Sequence, residues 1–114
     1  MDHQVRRVLI YGDDFWEFYN KQQPKVKDRI NWTIKLITEL KTVPEKYFKH
    51  ITGTDLYEIR IVQASNVYRV FCFFEKGNLV VILNGFQKKT QKTPKNLIER
   101  ALKLKAQYYE DQKE

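Results

Sequence analysis

Three runs rich in β-branched and aromatic residues, joined by two short loops, limit the fold of this chain more than any other feature. The runs are LYEIRIV, NVYRVFCFFE and NLVVILNGFQ, and the loops between them are QASN and EKGN. Runs of this composition form β-strands, and loops this short join neighbouring strands as hairpins. The centre of the chain is therefore predicted to be an antiparallel meander of three strands.

Further elements flank this meander on both sides. The N-terminal run VRRVLIYG predicts another strand, and the segment after Asp13 and Asp14 predicts a short helix. After Pro24, apolar residues recur at intervals of three and four, which is typical of an amphipathic helix. A last helix is expected to begin at Thr93-Pro94, with the threonine hydroxyl as its cap. The predicted element order is β-α-α-β-β-β-α.

This order favours an α+β fold in which helices pack on an antiparallel sheet. Of the 114 residues, 42% are hydrophobic and 14% aromatic, so residues 1–114 are predicted to form a single domain with its own core. The apolar runs are too short to cross a bilayer, and we expect a cytoplasmic protein with no membrane contact. The single cysteine, Cys72, is expected to be a buried hydrophobe, and no metal or cofactor is expected.

Positive charge is concentrated towards the C-terminus. Within a net charge of +7, residues 84–106 contain seven Lys or Arg and one Glu, whereas residues 1–55 contain ten basic and eight acidic residues. A local excess of this kind attracts polyanions such as RNA, DNA or an acidic protein. A solvated helix face would have a similar composition, so both interpretations stay open at this point.

Hairpin loops also determine which residues lie opposite each other. An even-numbered first loop places Arg60 opposite Arg69, and a two-residue Lys76-Gly77 turn places Asn84 beside Arg69. Alternation then assigns to the face of these residues Glu58, Val62, Val67, Phe71, Phe73, Val80, Ile82 and Phe86. The opposite face is apolar or aromatic, and the main helices are expected to cover its residues: Tyr57, Ile59, Ile61, Tyr68, Val70, Cys72, Phe74, Leu79, Val81 and Leu83.

Two directly opposed arginines repel each other by about 0.2–1 kcal/mol, so a negative group is expected near Arg60 and Arg69. One explanation is structural, with Glu58 or a helix carboxylate lying between them. The other is functional, with a phosphate bound by both guanidinium groups. Phe86 on the same face either stacks on a nucleic-acid base or belongs to the core under the last helix, and the core is the expected place of Phe71.

Four lysines follow the last strand of the meander, at the point where the last helix is expected to begin. The unpaired N–H groups of a helix N-terminus favour anions. Lys88, Lys89, Lys92 and Lys95 are therefore predicted to surround this helix start close to the arginines. Such an arrangement would suit a nucleic-acid backbone.

The segments LYEIR, VYRVFCFF, NGFQKKTQKTP and IERALKLKAQYY resemble the RelE/ParE superfamily of toxins from type II toxin-antitoxin systems, most of all its HigB-like, phage-derived branch. The resemblance implies a RelE-like (microbial ribonuclease-like) fold and an endoribonuclease that cleaves mRNA on the ribosome and so inhibits translation. It also implies a cognate antitoxin, commonly a helix-turn-helix DNA-binding protein. Operator DNA would be contacted only through that antitoxin.

The chemistry implied by this resemblance uses the 2′-hydroxyl of the RNA as nucleophile, and it needs a base, cations for the phosphate and an acid for the leaving oxygen. Arg60 and Arg69 match the family's basic positions on the second and third strands. Lys88 and Lys89 match the basic position after the fourth strand. Glu58 is a candidate base.

The proton donor is left open by the sequence, because no histidine or tyrosine stands directly after the fourth strand. Its candidates are Lys88, Lys89 and the more distant Tyr108. The remaining residues predicted to bind RNA are Asn84, Phe86, Lys92 and Lys95. Two alternative functions share these features: a ParE-like gyrase inhibitor with the same fold, and an RNA-binding module without catalysis.

Overall fold

The computed structural model describes residues 4–113, so the ends of the predicted domain, residues 1–3 and 114, lie outside the described part. The elements in chain order are β1 (Arg7–Ile10), α1 (Asp14–Asn20), α2 (Pro24–Glu39), β2 (Phe48–His50), β3 (Leu56–Gln63), β4 (Asn66–Glu75), β5 (Leu79–Lys88) and α3 (Lys95–Asp111). The predicted α+β class is confirmed, and the architecture is compatible with a RelE-like fold. The predicted order lacks only β2, whose three residues are too few to show an alternating pattern.

The strands form one sheet in the order β1-β5-β4-β3-β2. The pairs β2–β3, β3–β4 and β4–β5 are antiparallel, but β1 runs parallel to β5. The sheet is therefore mixed, whereas the sequence predicted an antiparallel one. A hairpin loop determines the direction of consecutive strands only, and β1 pairs with a strand that lies far from it in the sequence.

Helices cover both faces of the sheet. On one face, α1 and α2 pack through Phe15, Phe18, Ile30 and Ile37 onto buried residues of β3, β4 and β5. On the other face, α3 packs through Ala101, Leu104 and Tyr108 onto a second set of buried residues: Leu56, Phe71, Phe73, Val81 and Leu83. This second core confirms that Phe71 lies under the last helix.

The predicted register between β3 and β4 is confirmed, since Arg60 pairs with Arg69 across a two-residue turn at Ala64 and Ser65. The predicted register between β4 and β5 is wrong. Leu79 pairs with Glu75, which leaves a three-residue turn, and a β-bulge between Phe71 and Cys72 shifts the register again.

These two irregularities change which side chains of β5 share a face. Val80 and Ile82 face α1 and α2, whereas Val81 and Leu83 face α3, the reverse of the prediction. Because the side-chain period of a strand is two, one extra residue in the turn exchanges the two faces. The bulge restores the predicted face further along β5, where Asn84 and Phe86 share the face of the arginines.

The last helix begins at Lys95 and has Pro94 as its cap, without a capping side-chain hydrogen bond. The prediction of a threonine cap at Thr93 is therefore wrong. The carbonyl oxygen of Pro94 instead accepts hydrogen bonds from the N–H groups of Leu97 and Ile98, at 3.1 and 3.4 Å. In the described part of the chain, none of the helices combines the length and the apolar character needed to cross a membrane.

Candidate functional site

A cluster of three charged side chains lies on β3 and β4, where Arg60 is directly opposite Arg69. Glu58 lies two residues before Arg60 on the same face, as the alternation of a strand requires. Its Oε1 accepts a hydrogen bond from Arg60 Nε at 2.9 Å and lies 3.6 Å from Arg69 Nε. The structural explanation of the opposed arginines is thus confirmed. Because one carboxylate faces two guanidinium groups, the cluster keeps a net positive charge.

Arg69 is the least neutralised member of this cluster. It is only 8% exposed, and its Nε has no hydrogen-bond partner among the described residues. Its Nη1 donates to the carbonyl oxygen of Tyr68 at 3.3 Å. Burial lowers the pKa of the Arg69 guanidinium, an effect that Glu58 opposes and Arg60 reinforces. A buried cation with an unused donor is favourable only when an anion can approach it.

An open pocket of about 490 Å³ adjoins Arg69. It is lined by Val67, Arg69, Lys88, Lys89, Thr90 and Gln91. Strand pairing explains why these residues meet. Val67 lies opposite Lys88, and Arg69 lies opposite Phe86, two residues before Lys88 on β5. The lining contains three cations and no carboxylate, which makes the pocket suitable for a phosphate group.

The other two predicted lysines are not part of this pocket. Lys92 and Lys95 are exposed and lie beyond its lining, further along the loop and at the start of α3. The loop turns away from the sheet at Thr90, whose hydroxyl donates to the carbonyl oxygen of Lys92 at 2.8 Å. The predicted group of four lysines therefore divides into two that contact the pocket and two outside it.

Asn84 and Phe86 do not line this pocket, although Phe86 lies opposite Arg69. Asn84 pairs with Phe71 rather than with Arg69, and its Nδ2 donates to the carbonyl oxygen of Leu97 at 3.2 Å, which ties β5 to α3. Phe86 is half-buried against the α3 core, with its ring centroid 5.4 Å from that of Phe71. Both residues line an adjoining open pocket of about 570 Å³ beside α1 and α3, which shares Lys89 with the Arg69 pocket. The structure therefore favours the core interpretation of Phe86.

Comparison with known proteins shows the family to which the chain belongs. The model of the phage-derived protein Gp49-like (DUF891) family matches residues 17–106, which include β2 to β5, most of α3 and the whole Arg69 pocket. The chain belongs to the Gp49-like family. This family is associated with RelE-like toxins. No curated protein matches the chain.

In this Gp49-like chain, the tyrosine considered as a proton donor is far from the pocket. Tyr108 is buried in the α3 core, where its ring centroid lies 5.5 Å from that of Phe73. Burial raises the pKa of Tyr108, and Glu75 adds to the effect. Glu75 is at the far end of β4 from Arg69, about 20 Å away at the rise of an extended strand. Tyr108 therefore does not share the pocket with the arginine.

Of the residues predicted as candidate proton donors, Lys88 and Lys89 line the pocket. Sequence reasoning missed Val67, Thr90 and Gln91, which complete the lining. Thr90 and Gln91 belong to the same lysine-rich segment, so the segment itself was a usable signal for them. Across residues 4–113, no three His, Cys, Asp or Glu side chains are arranged to hold a metal ion.

Proposed function

We propose that the protein is the toxin of a type II toxin-antitoxin pair, an endoribonuclease that cleaves mRNA on the ribosome. The observation that carries this proposal is the buried Arg69 guanidinium, whose Nε is unpartnered among the described residues and which adjoins a pocket that also contains Lys88 and Lys89. The family association with RelE-like toxins supports it. Such an enzyme acts in the cytoplasm, where mRNA is translated.

The proposed reaction is a transesterification within the RNA chain. The 2′-hydroxyl gives its proton to a water molecule while its oxygen attacks the adjacent phosphorus. The bond from phosphorus to the 5′-oxygen breaks, that oxygen takes up a proton, and the products are a 2′,3′-cyclic phosphate and a 5′-hydroxyl. Negative charge on the phosphoryl oxygens increases in the transition state. Arg69 is placed to stabilise that charge in the pocket, and Arg60 lies opposite it on β3, outside the pocket lining.

The lysines have the second role in this proposal. The leaving 5′-oxygen needs a proton as its bond to phosphorus breaks, and the ammonium groups of Lys88 and Lys89 are the donors that line the pocket. Glu58 was considered as a base, but its Oε1 already accepts from Arg60 and it does not line the pocket. We therefore assign Glu58 the role of orienting the two arginines.

The partners of this proposed toxin are mRNA, the ribosome and an antitoxin. A neutralising antitoxin should cover the Arg69 pocket with acidic side chains, or bind the outer helices and so prevent entry into the ribosome. A helix-turn-helix antitoxin would connect the pair to operator DNA. A structure of the complex that leaves both surfaces free would contradict this part of the proposal.

Primer extension on a translated message after brief expression tests the proposed activity. New 5′ ends within codons, present only when the message is translated, are the expected result. Cleavage of free RNA without ribosomes would contradict the ribosome requirement. Growth arrest with intact messages and inhibited DNA gyrase would instead indicate the ParE-like function.

A further inference from the structure

A second surface of cations and aromatic rings lies between α2 and the start of β2. The guanidinium carbon of Arg29 is 4.1 Å from the ring centroid of Trp32. The Trp32 ring meets that of Tyr47 at 5.6 Å and 75°, and Lys46 Nζ lies 5.0 Å from the Tyr47 centroid. We call these four residues, Arg29, Trp32, Lys46 and Tyr47, the aromatic surface. The two rings lie next to each other, and one cation packs on each ring.

The aromatic surface is continuous with the candidate site through Arg60. The N–H of Arg60 donates to the carbonyl oxygen of Tyr47 at 2.8 Å, directly after the last pair between β2 and β3. Arg60 also lines a small pocket of about 150 Å³ together with Arg29, Lys46 and Tyr47. On its other side, Arg60 shares Glu58 with Arg69. A chain of phosphates could therefore pass from Arg69 over Arg60 to this surface.

The aromatic surface is unusual in its exposure and its charge, since it lies on a helix that packs on a sheet. Trp32 is 40% exposed, although a large aromatic ring gains most by burial. A shallow pocket beside it is lined by Lys25, Arg29 and Asp28, so cations exceed carboxylates there as well. Exposed aromatic rings between cations are typical of surfaces that bind single-stranded nucleic acid, since bases stack on the rings while cations contact the backbone.

We propose that the aromatic surface binds a single-stranded segment of RNA next to the phosphate held at Arg69, with one base stacked on the Arg29–Trp32 layer. This inference rests on the proposed function for the identity of the RNA as a substrate. The planar groups favour RNA over an acidic protein, because a carboxylate-rich partner would need only the cations. The surface would thus hold a neighbouring nucleotide and help to align the scissile phosphate.

The chain contains its own matched control for a test of stacking. Trp16 on α1 is 44% exposed, close to the 40% of Trp32, but lies in a different part of the surface. Its helix carries Asp14 and Glu17 in the first turn. The variants W16F and W32F therefore each leave one tryptophan of similar exposure as a fluorescent reporter. The probe is 2′-O-methyl oligouridylate, which lacks the attacking hydroxyl and cannot be cleaved by the proposed reaction.

Binding of this probe is followed by its fluorescence anisotropy and by tryptophan emission. In W16F, saturable quenching of Trp32 is expected at the probe concentrations that raise the anisotropy, whereas in W32F the emission of Trp16 should stay unchanged. Since stacking of one base contributes about 5- to 150-fold to affinity, Trp32→Ala should weaken binding of the oligonucleotide by at least about 5-fold. Binding of a dinucleotide, which is too short to reach both surfaces, should change little.

Three results would overturn the proposal. They are probe binding without quenching of Trp32, equal quenching of Trp16, and equal quenching of Trp32 by polyglutamate, which would identify a site for an acidic protein. The outcome is separable from that of the proposed function. A protein that quenches normally but cuts no message would contradict the endoribonuclease alone. A protein that cuts messages without quenching would contradict the aromatic surface alone.

Discussion

The charged cluster on β3 and β4 depends on how one carboxylate is shared. Oε1 of Glu58 accepts a hydrogen bond from Arg60 Nε. The same oxygen lies 3.6 Å from Arg69 Nε, just beyond hydrogen-bond distance. The cluster therefore holds one arginine firmly and leaves the more buried one with an unused donor. This asymmetry suggests different effects for the two arginines, with Arg69 more important for the proposed chemistry.

Arg69→Ala is expected to remove most of the cleavage activity. Loss of one group that stabilises transition-state charge typically lowers the rate about 10²–10³-fold, and Arg69 is the arginine that lines the pocket. The rate of message cleavage is measured at saturating protein in a purified translation system. Arg7→Ala is the control, because Arg7 is an exposed arginine on β1. A folded Arg69→Ala protein with the parental rate would exclude the assigned site.

Glu58→Gln is expected to lower the free energy of unfolding by about 1–3 kcal/mol, since it leaves Arg60 and Arg69 opposed without a carboxylate in a largely buried position. Urea denaturation at neutral pH measures the change. Glu110→Gln removes an ion pair whose two side chains are each 72% exposed, so it should change the free energy by less than about 0.5 kcal/mol. Equal effects of the two changes would show that Glu58 is not the required counter-ion.

At the scale of the elements, local sequence predicted well wherever a short turn determined geometry. The two-residue turn at Ala64 and Ser65 set the pairing of Arg60 with Arg69, and that prediction is confirmed. The next turn has three residues, and Lys76 adopts a positive φ of 44° within it. The segment EKGN can form a turn of two or three residues, and no local sequence pattern indicates the bulge that follows.

Long-range geometry was less accessible to sequence reasoning. The parallel pairing of β1 with β5 joins two strands that are far apart in the sequence. The residues VRRVLIYG do not indicate the partner or the direction of this strand. For the site, the residue types and the loop were predictable, but the division of the lysines was not. The division of the lysines depends on the turn of the chain at Thr90 and on the start of α3 at Lys95.

An ion pair between α1 and α3 should make stability depend on pH. Nε and Nη2 of Arg100 donate to the carboxylate of Asp14, at 2.9 and 3.0 Å, and this lowers the pKa of Asp14 below its ordinary value of 3.8. As pH falls, the unfolded chain therefore binds a proton at Asp14 before the folded chain does. The contribution is present above pH 4 and is lost as pH falls through the lowered pKa.

Asp14→Asn should accordingly reduce the steepness of the loss of stability below pH 4. Urea denaturation of the parent and the variant between pH 6 and pH 3 measures this difference. Arg100→Gln should have the same effect, and the double variant should show no further change, because both substitutions remove one interaction. Additive effects would mean that the two side chains act separately.

Contact between α1 and β5 leaves no room for a side chain at Gly85. A Cβ atom at Gly85 would lie 2.5 Å from Cδ2 of Phe18, a buried ring of α1. Gly85→Ala should lower the free energy of unfolding by about 1–3 kcal/mol, the usual effect of overpacking, as measured by urea denaturation. Phe18→Leu should cost less in the Gly85→Ala background than in the parent. The same cost in both backgrounds would contradict the predicted clash.

At the scale of the whole molecule, the division of the lysines allows the proposed binding and the proposed chemistry to be tested separately. Lys92→Gln with Lys95→Gln should weaken binding to ribosomes and reduce its salt dependence, by about 0.7–0.9 in slope for each lost phosphate contact, while cleavage persists at saturating protein. Lys88→Gln or Lys89→Gln should lower the saturated rate itself, since these residues line the Arg69 pocket. Titrations at several salt concentrations give both quantities.

The result to look for is a separation of the two effects. If the Lys92 and Lys95 substitutions abolish the saturated rate but leave the salt dependence unchanged, the loop itself must reach the scissile phosphate. In that case the Arg69 pocket would be only one part of the proposed catalytic site.

The order in which the chain is synthesised has a consequence for the pairing of β1 with β5. The first strand cannot complete the sheet until β5 exists, and α3, made last, covers Phe71 and Phe73. A growing chain thus carries Arg60 and Arg69 before it carries Lys88 and Lys89. Unfinished chains on the ribosome therefore lack both the complete five-stranded sheet and the complete pocket. A protein proposed to attack the translation machinery would reach its active form only after that machinery has finished making it.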